Sequence, residues 1–248
     1  MSSGDRMANE TWLLWNDISR SPYMNMAVDE LLQKEAMAHG KVILRFYGWD
    51  RDSVSFGYAQ APGALPERAN GFVYVRRPTG GGIVFHDDDL TYTLAIPPEH
   101  PFCRLDRMES YRVIHEAVMD AVRNLGTVAS LAEADMGDHT KATLQCFVSP
   151  TLHDILGKSG KLAGAAQRRG HSGILHQGSI SNEAAHSHSR QEFIQAVADA
   201  FAARFDLAYE PFPAEHGDFL SRAEELANRK YASDDWNNDR IVPEASRS

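Results

Sequence analysis

Cysteine is scarce in this chain: 248 residues carry only Cys103 and Cys146. One pair makes no disulfide framework, so both are read as free thiols in a reducing, cytoplasmic setting. No apolar run approaches the ~18 residues of a membrane-spanning helix, and the N-terminus lacks the charged-then-apolar pattern of a signal peptide. No membrane partner is therefore expected. Basic charge is also short, with 25 Lys and Arg against 34 Asp and Glu and a formal net charge of −9. That balance argues against broad nucleic-acid binding, which needs a positive surface. The glycine-rich stretch has no following Gly-Lys-Ser/Thr and is not a P-loop. The 11 histidines show no ligand spacing, and His186-Ser-His188 reads as a polar turn, so no metal is expected. What the chain does have is an ordinary globular composition, 43% apolar and 24% charged, and enough length to bury a sizeable core.

Patterning along the chain is a mixed alternation without repeats. Ser21-Pro22 opens a helix to about residue 37, with Ala27, Leu31 and Leu32 on one face and proline in the first turn. Residues 41–47 and 53–58 are strand-like around a Trp-Asp-Arg-Asp turn. Residues 72–77 and 83–96 are further strands on either side of three glycines. A helix is expected over 106–125, stopped by Gly126. Residues 132–141 read as a surface loop. Strands follow at about 151–156, 161–168 and 173–181, the first two joined by Gly157-Lys158-Ser159-Gly160. Ser189 and Glu192 form a capping box for a helix carrying Phe193, Val197 and Phe201, and a last helix covers about 216–229. The expected fold class is α/β of the α+β type, a mixed sheet with packed helices. One domain is assigned to 12–238, between a flexible start (1–11) and a flexible tail (239–248).

Two segments carry chemistry. Arg76-Arg77-Pro78-Thr79-Gly80-Gly81-Gly82 leads from one apolar run to another. A glycine triplet is costly in chain entropy, and it suits a backbone that needs unusual dihedrals or a ligand that must touch main-chain N–H groups. The paired arginines add fixed charge and forked donors; the plainer reading is a hairpin turn with two solvated arginines. The second segment runs from Cys146 to Gln167. Lys161 opens a run of small residues, Leu162-Ala163-Gly164-Ala165-Ala166, so its amine has room to face a cavity. A free thiol, with an ordinary pKa of about 8.5, is only partly ionised at neutral pH. A nearby ammonium stabilises the thiolate, about 1.4 kcal/mol per unit of lowered pKa, which is what a thiol nucleophile requires. Spacing does not bring the two together, and a small buried thiol beside a solvated lysine remains the alternative.

Resemblance adds to this. Arg76-Arg-Pro-Thr-Gly-Gly-Gly82 with His86-Asp-Asp-Asp-Leu-Thr-Tyr92 resembles the signature of the biotin/lipoate protein ligase superfamily. Asn25-Met-Ala-Val-Asp-Glu30, Arg45-Phe-Tyr-Gly-Trp49 and Ser55-Phe-Gly-Tyr-Ala-Gln60 are similar to its N-terminal pattern. Gly160-Lys-Leu-Ala-Gly-Ala-Ala-Gln-Arg-Arg169 and Leu175-His-Gln-Gly-Ser179 are similar to its lysine-bearing region. Gln145-Cys-Phe-Val-Ser-Pro150 and Lys230-Tyr-Ala-Ser-Asp-Asp-Trp-Asn237 resemble the octanoyltransferase branch, from which Gly82 departs where an arginine is expected. The likeness spans about residues 12 to 240.

The resemblance implies a fold like the class II synthetase and biotin–lipoate ligase catalytic domain, and a thioester relay. Cys146 takes an octanoyl group from acyl carrier protein, and a lipoyl-domain lysine, such as that of the glycine-cleavage H protein, accepts it as an amide. Lys161 lowers the thiol pKa and steadies charge on the reacting carbonyl oxygen. Gly80, Gly81 and Gly82 line the acyl tunnel with Gly164, supported by Arg77 and His86. Thioester to amide runs downhill, so the implied reaction needs no ATP, metal or cofactor. Two rival readings stand beside it. An ATP-dependent lipoate–protein ligase would use ATP, Mg, Lys161 and the arginine–glycine loop to hold an acyl adenylate, and full ligases usually carry a C-terminal accessory domain. A non-catalytic acyl- or lipoyl-binding module is the third.

Overall fold

The computed structural model describes residues 10–134, 151–185, 187–215 and 217–242. Cys146, and most of the polar stretch before it, lie outside the described residues. The elements are β1 (Glu10–Arg20), α1 (Pro22–His39), β2 (Ile43–Trp49), β3 (Ser53–Phe56), β4 (Val73–Arg76), β5 (Ile83–His86), β6 (Asp89–Ile96), α2 (Arg107–Asn124), β7 (Ser130–Leu131), β8 (Ile155–Leu156), β9 (Lys161–Gly170), β10 (Gly173–Ser181), α3 (Arg190–Phe205), β11 (Leu207–Pro211) and α4 (Phe219–Leu226). An eight-stranded mixed sheet runs β11-β1-β2-β6-β10-β9-β8-β7, and a three-stranded sheet runs β4-β3-β5. The mixed α+β class expected from the sequence is the one observed.

Period-two alternation in the large sheet decides what each face buries. Trp12, Leu44, Phe46, Leu94 and Ile96 join Ile114, Val118 and Val122 of α2 and Phe193, Val197 and Phe201 of α3 in one core. The intervening Leu13, Trp15, Ile43 and Ala95 pack with Met26, Val28 and Leu32 of α1 and Phe219 and Ala223 of α4. The helices are therefore split between the two faces.

Their ends follow the capping residues. Ser21 accepts from Met24 N, with Pro22 in the first turn, and Ser189 with Glu192 completes the capping box of α3. Gly126, with φ of 91°, follows the last turn of α2.

Pairing departs from the sequence reading in three places. The strands at 41–47 and 53–58, read as neighbours around a turn, do not share a sheet: β2 belongs to the large one and β3 to the small one. The run 83–96 is two strands, broken at Asp87-Asp88 where the chain passes from one sheet to the other. The glycine segment is no hairpin turn either: β4 runs parallel to β3 and β5 antiparallel to it, so β3 separates the strands that the glycines join. Strands β1 and β11, which pair in parallel at the sheet edge, had no counterpart in the sequence reading. The last helix is shorter than 216–229 and continues as two π-helical turns, Ala227–Tyr231 and Asp235–Asp239.

Candidate active site

Most of the site sits on the α1 face, where the large sheet carries polar side chains in two rows, and Tyr111 and His115 reach it from α2 on the other face. Arg45, Thr93, Gln177 and Ala166 are lateral partners across β2, β6, β10 and β9; Tyr47, Thr91, Ser179 and Gly164 form the next row. The first row is locked by buried charge. Arg45 donates to Asp17 Oδ2 at 2.7 Å and to Asp29 Oδ1 at 2.7 Å. Asp29 Oδ2 also accepts from Tyr47 Oη, Thr93 Oγ1 and Gln177 Nε2, and Gln177 Oε1 accepts from Thr79 Oγ1 at 2.7 Å. The Asn25–Glu30 and Arg45–Trp49 motifs are thus a frame that anchors the glycine loop through Thr79. A buried ion pair stabilises only when its remaining hydrogen bonds are satisfied, and here they are.

The paired arginines are both buried, at 1% and 5% exposure, which overturns the solvated-turn alternative. Arg76 donates to the carbonyls of Tyr58, Gln60, Trp236 and Asn237, while its own N–H donates to Asn237 Oδ1. Arg77 folds onto its own loop, donating to Gly80 O at 2.7 Å, Gly82 O at 2.7 Å and Ser55 O at 3.1 Å. Five-donor planar forks suit such multi-carbonyl cradles. Gly81 has φ of 82°, the left-handed conformation expected of the triplet. A Cβ on Gly57 would fall on the Gly81 carbonyl, so the two backbones approach as only glycine permits.

His86 stands at the end of β5 between Ser55 and Asp89. Its Nε2 lies 2.8 Å from Ser55 Oγ and its Nδ1 lies 2.9 Å from Asp89 Oδ2. Arg77 Nη1 donates to Ser55 Oγ as well, and Nδ1, facing the Asp89 carboxylate, is a ring nitrogen that donates its proton to it. Ser179 and Thr91 also donate to Asp89, and Trp49 stacks on the imidazole at 3.9 Å. Burial alone would raise the Asp89 carboxyl; the His86 charge and the three donors outweigh it and hold it below its ordinary value.

Lys161 opens β9, and its ammonium lies 2.7 Å from Asp154 Oδ2, with both side chains buried. Asp154 Oδ2 also accepts from Thr151 N at 2.6 Å and Thr151 Oγ1 at 3.0 Å, and Oδ1 accepts from Tyr111 Oη at 2.7 Å. A Cβ at Gly164 would fall on Lys161 Cε and Nζ; the small-residue run makes room for the lysine, as read from the sequence. Beside it, burial pushes His115 down to about 4, aided by the Lys161 and His153 charges and opposed by Asp154.

Of the candidates named from sequence, Arg77, His86, Lys161 and Gly164 line one small cavity together with Ser55, Val84 and Ser179. Gly80 and Gly81 line a neighbouring cavity of about 260 Å³ with Tyr111, Thr151 and Gln167, and Ala165 and Ala166 border both. Gly82 is buried behind the loop, its carbonyl accepting from Arg77 and Gly57 N. Asp154, Tyr111, Ser55 and Asp89 were missed. Asp154 carried the one readable signal, a lone acid within the 151–156 stretch read as a strand, whose hairpin partner opens with lysine; the strand itself is only β8, Ile155–Leu156. Among the described residues no group of three or more His, Cys, Asp or Glu side chains converges as a metal site.

Residues 21–199 match the family described as "Lipoyl protein ligase A/B catalytic domain". The chain belongs to that family. Among curated relatives it is 31% identical to octanoyltransferase LipM of Geobacillus kaustophilus, over 93% of this chain and 99% of the relative. It is 29% identical to octanoyltransferase LipM of Bacillus subtilis, again over 93% and 99%. Among solved structures, a bi-partite lipoate protein ligase from Thermoplasma acidophilum superposes with a TM-score of 0.74 at 22% identity, covering 96% of this chain and 100% of that one. Lipoate-protein ligase A bound with ATP gives 0.73 at 23% identity, covering 93% and 98%. At such identities the structures establish the family fold, and the sequence relatives bear on the reaction.

Proposed function

We propose that the protein is an octanoyltransferase that moves an octanoyl group from the thioester of an acyl carrier protein onto a lysine of a lipoyl-domain protein through Cys146. The observation that carries this reading is the near full-length likeness to proteins named octanoyltransferase LipM, in a chain that carries both Cys146 and Lys161. The Cys146 thiolate attacks the donor carbonyl, and the carrier thiolate leaves and takes up a proton. An acceptor lysine, as its neutral amine, then attacks the Cys146 thioester, loses a proton and releases the Cys146 thiolate. Lys161, buried in the cavity wall, supplies positive charge near both steps, where low dielectric strengthens it. The glycine loop, with its carbonyls held from behind by Arg77, gives the acyl chain a side-chain-free wall.

Intact-mass analysis after incubation with octanoyl-carrier protein, without ATP, tests the reading. One octanoyl adduct is expected on the wild type and on Cys103→Ser, and none on Cys146→Ala. Cys103 is half-buried; burial raises its thiol above the ordinary value and its Sγ donates to Pro97 O. Transfer by Cys146→Ala, or turnover only with ATP and free acid, would favour the ligase.

A further inference from the structure

Asp154 is fully buried, and a buried carboxylate is costly unless it is paired and hydrogen-bonded. It has four donors from three directions. Lys161 Nζ reaches it from β9, Tyr111 Oη from α2, and Thr151 through both backbone N–H and hydroxyl from its own turn. The contacts continue past the carboxylate. Tyr111 Oη accepts from Ala165 N at 2.9 Å, and the Asp154 carbonyl accepts from Ala132 N at 2.7 Å. One carboxylate therefore ties the lysine to α2, to the wall of both cavities at Ala165, and to the chain at Thr151, five residues after Cys146 in sequence. A structural anchor would need hydrogen bonds but no charge, whereas here a buried amine and a buried carboxylate meet at 2.7 Å, each offsetting the cost of burying the other.

We propose that Asp154 is a positioning residue for Lys161: its carboxylate holds the lysine amine at the cavity wall and sets its place relative to Ala165. This rests on the proposed acyl transfer only for its readout, because the ligase alternative would use Lys161 as well. The lysine's long, flexible stem would otherwise sample many rotamers. The vacancy left by the missing Cβ of Gly164 gives the ammonium its place, and Asp154 Oδ2 keeps it there. Among the described residues, the other titratable groups facing the pair are Tyr111 and His115 from α2, Tyr92 from β6 and His153 from the preceding turn. Tyr111 is held neutral by burial and by the Asp154 charge, both raising it well above its ordinary value.

The test is single-turnover acyl transfer from pH 6 to 9 on wild type, Asp154→Asn, Asp154→Glu and Tyr111→Phe, with the folded fraction measured on each preparation. It is run with octanoyl-carrier protein and, in parallel, with ATP and octanoate; whichever supports the wild type carries the comparison. Asp154→Asn keeps an acceptor for Tyr111 or Thr151 but no charge. It is expected to lose at least about tenfold in rate per folded molecule, with an unchanged KM for the donor and the rising limb of the profile moved to higher pH. Asp154→Glu should bring that limb back towards the wild-type position at a reduced rate, because charge returns on a longer arm. Tyr111→Phe, which removes a hydrogen bond but no charge, should leave the limb in place. A wild-type rate and profile in Asp154→Asn, or a loss tracking the folded fraction with the limb unmoved, overturns the proposal. So does a wild type inactive under both conditions. A wild type active only with ATP, with the limb moved in Asp154→Asn, would reject the transferase while upholding Asp154.

Discussion

At Gly164 the absence of a side chain makes room for the Lys161 amine. A Cβ there would occupy the space of the Lys161 ammonium and come within 3.0 Å of Asp154 Oδ1. Gly164 is not among the positive-φ glycines, so alanine meets no backbone strain, only the displaced lysine. Gly164→Ala should therefore fold with a melting temperature within a few degrees of wild type. Its acylation rate per folded molecule should fall at least about tenfold, since misplacing a catalytic group by ~1 Å costs that much or more. Intact mass against time, beside a thermal melt, separates the two effects. Sequence inspection found the small residues around Lys161; it had no means of finding that one of them faces the ammonium, because that depends on how the β8–β9 turn brings Asp154 over the strand.

The loop from Arg76 to Gly82 works as an element although it is neither helix nor strand. It spans from β4 to β5 across β3, and its carbonyls are gathered from behind by Arg77. Gly81, with φ of 82°, faces the larger cavity. In Gly81→Val, a β-branched residue resists positive φ, at a cost of about 1–3 kcal/mol. For a chain of this size that amounts to a drop in melting temperature of a few degrees. Acylation per folded molecule should fall much further, at least about tenfold, because the side chain also fills the proposed acyl wall. Activity that merely follows the folded fraction would reduce the triplet to a connection between strands.

Across the whole molecule, the two ends of the described chain are joined through buried charge. Lys230 pairs with Glu30 of α1 at 2.6 Å and lies 4.0 Å from the Trp236 ring centroid, while Trp236, Asn237 and Asn238 supply carbonyls to Arg76. The same burial governs how stability responds to pH. His115 is pushed down to about 4 and His176 well below its ordinary value, both first of all by burial. Between pH 6.5 and 4 the unfolded chain binds protons at these sites that the folded chain refuses, so stability is full above about 6.5 and falls as pH drops through that window. For His115 alone the loss is about 3 kcal/mol. The depressed carboxyls, Asp89 and Glu30, lose their contribution only at lower pH, as protons reach the folded state. Urea midpoints should therefore fall from pH 7 to pH 5, and His115→Gln should flatten that slope; an unchanged midpoint would mean the histidine is not neutral by burial.

Much was already set by residue order. The mixed class followed from apolar spacing, with a period of two in strands and 3.6 in helices, and the Ser21 and Ser189 starts from capping chemistry that is local in sequence. The left-handed glycine was legible because three adjacent glycines serve no other conformational need. Only tertiary structure decided which strands pair. The Trp49–Ser53 and Arg76–Ile83 connections look like hairpin turns in sequence, yet each leads to a strand with a different neighbour, because pairing is settled by burial across both faces of two sheets. It also decided the partners of the charged residues. Arg76 bonds to carbonyls some 160 positions away and Asp29 to Gln177, 148 positions on. Asp154 sits only seven residues from Lys161 in sequence, but its meeting with Tyr111, 43 positions earlier, is set by the packing of α2 against the sheet. Electrostatic partnership depends on distance in space and on the exclusion of water, and neither is written in sequence spacing.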